Sequence, residues 1–190
     1  MQDFKSYLCL PKQEYSTKDF KLRVIQEEDI EDIRVWRNAQ LDVLRQPAPI
    51  SQDQQKTYFS NEVWPSMQEP YPKNILFTFF KKKKRIGYGG LVHIAWEHRR
   101  AEISFLLNDC LTKDKVLYRK YFSNYLNLIK EVAFLSLKIN RLYTETYAFR
   151  KDHINVLENC GFELEGIMRN HILLNNKYCD SIIHGAIYEK

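Results

Sequence analysis

The sequence predicts one mixed α/β domain: a mostly antiparallel central sheet of six to seven strands, flanked by about four helices. Three observations carry that expectation. Strand-like stretches at residues 74–80, 85–96 and 100–108 follow one another across short charged links, as in an antiparallel meander. Residues 115–138 show a broad apolar face (Phe122, Leu126, Ile129, Ala133, Leu137), the pattern of a long helix packed on a sheet. Two strand-like runs, 163–174 and 177–189, then close the chain around Asn175 and Asn176, residue types that tolerate the positive φ of a hairpin turn.

The other elements follow in order. Residues 1–19 are polar and irregular and read as an N-terminal arm, with a single domain spanning 20–190. Phe20, Leu22 and Val24 alternate with Lys21 and Arg23, which predicts a half-buried strand over 20–26. Ile30, Ile33 and Trp36 recur at helical spacing behind an acidic first turn, predicting a helix over 27–38. Two prolines in residues 45–51 (RQPAPIS) end that pattern, and Ser51 reads as the N-cap of a second helix reaching about residue 63. A loop with Pro65, Pro70 and Pro72 leads into the meander. Residues 140–149, rich in Tyr and Thr, predict a strand, and 151–160 a short helix stopped by Gly161 at C′. No repeat, low-complexity stretch or linker divides the chain.

Composition narrows the function classes. With 44% apolar and 28% charged residues the chain is globular rather than disordered. Mean hydropathy is −0.50, and no apolar run approaches the roughly 18–20 residues of a membrane span. Asp3 and Lys5 deny the N-terminus the uncharged core of a signal peptide, so a cytoplasmic protein without membrane contact is expected. The net charge of +5 favours anionic ligands such as phosphates, without pointing to nucleic acid. The basic run at residues 81–85 lies between two strands and reads as a solvated turn. Cys9, Cys110, Cys160 and Cys179 show no CxxC spacing, and His93, His98, His171 and His184 no metal-ligand spacing, so neither a disulfide framework nor a metal is expected. Glycine is scarce: 6 in 190 residues, less than half the roughly 7% usual. Each place where one stands, or is missing, is therefore informative.

Five segments in order resemble one family. They are residues 32–38 (DIRVWRN), 87–91 (GYGGL), 101–108 (AEISFLLN), 155–162 (NVLENCGF) and 163–180 (ELEGIMRNHILLNNKYCD). Together with the element order, they are similar to the GNAT superfamily of acyl-CoA-dependent N-acetyltransferases over roughly residues 20–188. The nearest branches are those that acetylate ribosomal-protein N-termini and amino-sugar nucleotides. The resemblance implies acetyl transfer from acetyl-CoA to a primary amine, either of a small molecule such as an amino-sugar nucleotide or of a peptide N-terminus. It leaves a homodimer open.

By position in that family, Glu102 is the implied base, and the backbone of Leu106, Leu107 and Asn108 the implied holder of the pantetheine arm and thioester. Read from the residues alone, Glu102 is equally a strand carboxylate pairing with Arg99 or Arg100. The glycine-rich turn that cradles the CoA pyrophosphate in the family is missing: Tyr118 and Lys120 occupy its glycine sites. Either bulky side chains block the phosphates there, or Lys115, Arg119 and Lys120 bind them by charge. Arg150 stands where an Asn often contacts pantetheine, His153 where a small residue is usual, and Leu157 where many relatives carry a Tyr that protonates the leaving thiolate. Tyr147 is a candidate substitute for that Tyr, one of twelve tyrosines in the chain. On the acceptor side the family's pattern implicates Trp36, Arg37, Asn38 and Arg45, with core packing the residue-level reading of Trp36. Two other expectations accompany the leading one: a non-catalytic binding module of the same fold, and an acyltransferase using a different acyl donor.

Overall fold

The structure is a computed structural model and describes residues 4–44 and 46–189. Eight strands, β1 (Glu14–Ser16), β2 (Phe20–Val24), β3 (Ile75–Lys81), β4 (Lys84–Ala95), β5 (Arg100–Leu107), β6 (Arg141–Tyr147), β7 (Glu163–Leu174) and β8 (Lys177–Ile187), form one sheet in the order β1-β2-β3-β4-β5-β6-β8-β7. Every neighbouring pair is antiparallel except β5 and β6. The main helices are α1 (Ile30–Asn38), α2 (Gln52–Tyr58), α5 (Lys115–Lys130) and α6 (Lys151–Asn159), with one-turn pieces α3 (Trp64–Ser66) and α4 (Asp109–Thr112) between α2 and α5. A π-helical stretch, Phe59–Val63, joins α2 to α3, and another, Glu131–Ser136, extends α5.

The sheet therefore exceeds the six to seven strands expected, and α3 and α4 exceed the four helices. The eighth strand is β1, inside the segment read as irregular. It pairs Glu14, Tyr15 and Ser16 with Arg23, Leu22 and Lys21, and three residues are too few for alternation to show in a sequence. Tyr7, Leu10 and Tyr15 are buried in the same core as the sheet. A single helical turn is likewise too short to declare a face.

Local chemistry explains most boundaries. Ser51 and Gln54 form a reciprocal capping box at the start of α2. Gly161 ends α6 at φ 77°, and Asn175 and Asn176 turn the β7–β8 hairpin at φ 49° and 60°. Lys82 takes φ 53° in the expected turn of the basic run. On β4, Gly89 is required by close approach: a Cβ there would lie 2.1 Å from the Ser104 carbonyl oxygen and 2.5 Å from Tyr125 Oη.

One buried charge sets the position of α1. Asp29 is fully buried and accepts hydrogen bonds from Arg23 Nη2, the Gln26 N–H, Thr78 Oγ1 and Arg85 Nη1. Four donors from β2, the α1 entry, β3 and β4 thus converge on one carboxylate. Removing the Arg23 guanidinium, which would leave the buried carboxylate without its closest charge partner, costs about 3–5 kcal/mol.

Candidate active site

The single parallel contact in the sheet is brief. Arg100, Ala101 and Glu102 of β5 pair with Arg141, Leu142 and Tyr143 of β6. Beyond Glu102, β6 keeps its ladder with β8 and β5 its ladder with β4, so the two strands part in a wedge. The Asn108 N–H donates to Ile86 O on β4 at 2.8 Å. By the alternation of the ladder, the N–H and C=O of Phe105 and Leu107 then face the wedge. Gln40 Nε2 donates to the Leu107 carbonyl at 2.8 Å. A strand edge opened in this way offers main-chain donors and acceptors to an extended ligand.

Three adjoining cavities lead from the wedge and share walls. The outer one, 670 Å³, is bounded by Gln40, Leu106, Leu107, Lys115, Tyr118 and the first turn of α6. The middle one, 200 Å³, is bounded by Glu102, Ile103, Glu145, Tyr147 and Leu157. Val43, Phe105, Arg150 and His153 line both. The inner one, 580 Å³, lies between α1, α2 and β4 and meets the middle cavity at Val92 and Ser104.

Two carboxylates reach the middle cavity. Glu102 and Glu145 are each mostly buried, with side chains 19% and 12% exposed, and have His93 Nε2 at 4.0 Å and His171 Nε2 at 3.6 Å respectively. Glu145 was not anticipated. Its strand was recognised, but its facing depends on β6 leaving β5, a long-range fact that a single sequence does not carry. Tyr147 lines the same cavity.

The wall between outer and middle cavities is an aromatic stack. Phe105 stacks on Phe122 at 4.6 Å between centroids, and Phe122 on the His153 ring at 4.1 Å. Arg150 Nη2 donates to Tyr118 Oη at 3.2 Å, and the same phenol shares a 2.7 Å hydrogen bond with His153 Nδ1. Burial, with Arg150 and His184 adding to it, holds the His153 pKa well below the ordinary 6.5. Burial also pushes the Tyr118 phenol up, against the pull of Arg150.

At the start of α5 the missing glycines have a structural counterpart. Asp114 caps the helix, its Oδ1 accepting from the Val116 and Leu117 N–H groups at 2.9 and 3.0 Å. The donors that would otherwise face an anion are thus taken by a carboxylate of the chain itself. Of the basic residues expected there, Lys115 lines the outer cavity, while Arg119 turns to Asp152 at 2.6 Å and Lys120 does not line it. Lys115 Nζ also lies 3.5 Å from Asp152, and Arg119 foremost, then Lys115, draws that carboxyl below its ordinary range. Lys113 and Lys151, not singled out from sequence, line the outer cavity beside Lys115 and Arg150. Asn108 is absent from that lining. Its N–H goes to β4 and its carboxamide caps α4 at Cys110.

On the inner side, Arg37 lines the cavity but Trp36 and Asn38 do not. Trp36 is buried in the core. Asn38 is structural for the loop: its Oδ1 accepts from the Ile50 N–H and Gln46 Nε2, and its Nδ2 donates to Ile50 O. The proline-bearing segment 46–50 is thereby fastened to α1 as the cavity's outer wall. Arg45 lies outside the described residues. Among the described residues, no group of His, Cys, Asp and Glu could hold a metal ion, and no helix is long and apolar enough to cross a membrane.

A family model for the acetyltransferase (GNAT) domain matches residues 22–183. The chain belongs to the GNAT acetyltransferase family. The expected acetyltransferase is thereby supported over a non-catalytic module. The GNAT fold is shared with a spermidine N-acetyltransferase from Vibrio cholerae in complex with CoA and spermine, at 18% identity and TM-score 0.76, covering 90% of this chain and 96% of that one. It is shared too with RimL, a ribosomal alpha-N-protein acetyltransferase in complex with coenzyme A, at 17% identity and TM-score 0.72, covering 90% and 95%. At such identities the likeness bears on the GNAT fold and not on a branch within it. A search of curated proteins finds no match.

Proposed function

We propose that the chain transfers the acetyl group of acetyl-CoA to a primary amine, with donor and acceptor meeting in the middle cavity. The observation that carries this reading is the wedge. It opens one residue past Glu102, exposes the edge of β5, and joins an outer cavity large enough for a cofactor arm to an inner one suited to a second substrate. A small-molecule amine, an amino-sugar nucleotide among them, and a peptide N-terminus both fall within this reading.

The residues present fit acetyl-CoA in two parts. The Phe105 and Leu107 edge suits the pantetheine amides, and Lys113, Lys115, Arg150 and Lys151 at the outer mouth suit the phosphates as side-chain charges. Bound there, acetyl-CoA supplies the activated acyl group. Edge N–H groups of β5 stabilise the thioester oxygen as it gains negative charge. Glu102 takes the proton that the acceptor ammonium must lose before its nitrogen can attack. The new C–N bond forms as the C–S bond breaks; Tyr147, in the same cavity, donates a proton to the departing thiolate and regains one from the nitrogen as it becomes an amide.

Calorimetry with acetyl-CoA, followed by single-turnover assay on a panel of amines, tests the reading. Saturable binding with acetyl transfer is expected. No binding at millimolar acetyl-CoA would overturn it.

A further inference from the structure

The inner cavity carries a charge pattern that the acetyl-transfer reading does not use. Its lining is mostly apolar, with Ile33, Ile50, Phe59, Leu76 and the Pro47–Pro49 pair, and its other polar groups besides Arg37 are neutral. Among the described residues lining it there is no carboxylate, and one formal charge, the Arg37 guanidinium. That guanidinium is held in one orientation from two sides. Nε donates to Gln46 Oε1 at 2.9 Å and Nη1 to Tyr88 Oη at 2.7 Å. Gln46 is itself tied to Asn38 Oδ1 and Ala48 O. Nη2 makes no hydrogen bond to a described residue, which leaves two donors of a pre-organised fork for a ligand.

The strand register gives the distance from this fork to the chemistry. Val92 pairs with Glu102, Gly90 with Ser104 and Tyr88 with Leu106, so all six lie on one face of β4 and β5. Tyr88, which Arg37 binds, is two residues along β4 from the Ser104 level and four from the Glu102 level. At about 3.3 Å per residue these offsets are roughly 7 and 13 Å.

Building on the acetyl-transfer reading, we propose that the acceptor is an amine with an anionic group, carboxylate or phosphate, on the order of 10 Å from its nitrogen, that Arg37 binds this group, and that polyamines are rejected. A polyamine would place a second ammonium against a fixed guanidinium, in a cavity whose described lining offers no carboxylate to receive it. An α-amino acid is too short to span from fork to base. The mostly apolar lining suits the neutral scaffold that joins amine and anion.

The test measures dissociation constants by calorimetry, on protein alone and on protein saturated with CoA, so that no turnover is needed. The probes are 6-aminohexanoate and 8-aminooctanoate, the aminoalkyl phosphates of the same lengths, the matching α,ω-diamines, and spermidine. The anionic members are expected to bind at least tenfold tighter than diamines of equal length. Arg37→Gln should erase that preference and Arg37→Glu reverse it, with the CoA dissociation constant unchanged in both as the check on folding. The tighter of the carboxylate and phosphate arms identifies the source of the anion. Equal or tighter binding of diamines or spermidine by the unaltered protein, binding of no member, or a preference that survives Arg37→Gln would overturn the proposal. Since CoA binding is measured separately, a failure of the acetyl-transfer reading would appear there and not in the amine panel.

Discussion

Glu102 and Glu145 reach one cavity from strands that part at that level, and two substitutions separate their roles. Glu102→Gln keeps shape and hydrogen-bonding capacity but cannot accept a proton. Turnover should fall by about 10²–10⁴, the usual contribution of a general base, with acetyl-CoA affinity unchanged by calorimetry. Glu145→Gln, assayed alongside, should leave turnover within severalfold. The opposite ranking would move the base to β6. His153 predicts a pH dependence of stability. Its folded pKa lies below the ordinary 6.5, so the unfolded chain binds the proton more readily, and stability is present above 6.5 and lost as pH falls toward the folded value. One proton contributes up to about 1.4 kcal/mol per pH unit. The urea midpoint should therefore drop between pH 7 and 5.5, and His153→Phe, which keeps a ring stacked on Phe122, should flatten that drop. Glu31, Asp152 and Glu165, held below their ordinary carboxyl range by Arg34, Arg119 and Arg141, lose their contributions only at lower pH and leave this window clear.

At the scale of elements, the α5 N-terminus departs furthest from what the family resemblance implies. Residues 115–122 lack the glycines in the sequence, but the carboxylate on the helix N–H groups stands at Asp114, one position before the helix expected from Lys115. Asp114 is among the best N-cap residues, and its chemistry was legible one position earlier. Asp114→Asn separates its two effects. Asn caps as well as Asp, so the melting temperature should change little, while loss of the negative charge should tighten CoA binding several-fold at low salt. Acetyl-pantetheine, which lacks the phosphates, should not respond. Equal gains for both ligands would mean the phosphates do not lie near this helix. The α1 side was legible for a different reason. Two prolines and a Ser cap mark a loop that must leave the helix and return, and a wall of the inner cavity is what that loop builds. The role of Asn38 in fastening it was not legible, since a helix-terminal Asn reads the same whether it faces a ligand or a loop.

For the whole molecule, the order of elements was visible because each strand of the meander is long enough to show alternation and each turn carries its own signature. The wedge was not visible. It arises because β6 holds β8 along its whole length on one edge while its other edge keeps only three pairs with β5, and all of these partners are distant in the chain. Two parts of the sheet, β1 to β5 and β6 to β8, are therefore joined in the ladder only at Arg100–Glu102, with α5 packing on α6 beside the seam. A ligand lying in the wedge touches both parts and should stabilise them together. At a hundred times its dissociation constant, acetyl-CoA should add about 2.7 kcal/mol, a rise of roughly 5–10 °C for a domain of this size. If the phosphates are held by exposed Lys113, Lys115 and Lys151, that rise should shrink steeply between 0.05 and 0.5 M salt, since the Debye length that screens exposed charges falls from about 14 to about 4 Å over that range. Acetyl-pantetheine, held by the β5 edge alone, should give a smaller rise that salt leaves nearly unchanged. Differential scanning fluorimetry of both ligands across the salt series checks this, and parallel salt curves for the two would place the phosphate grip elsewhere.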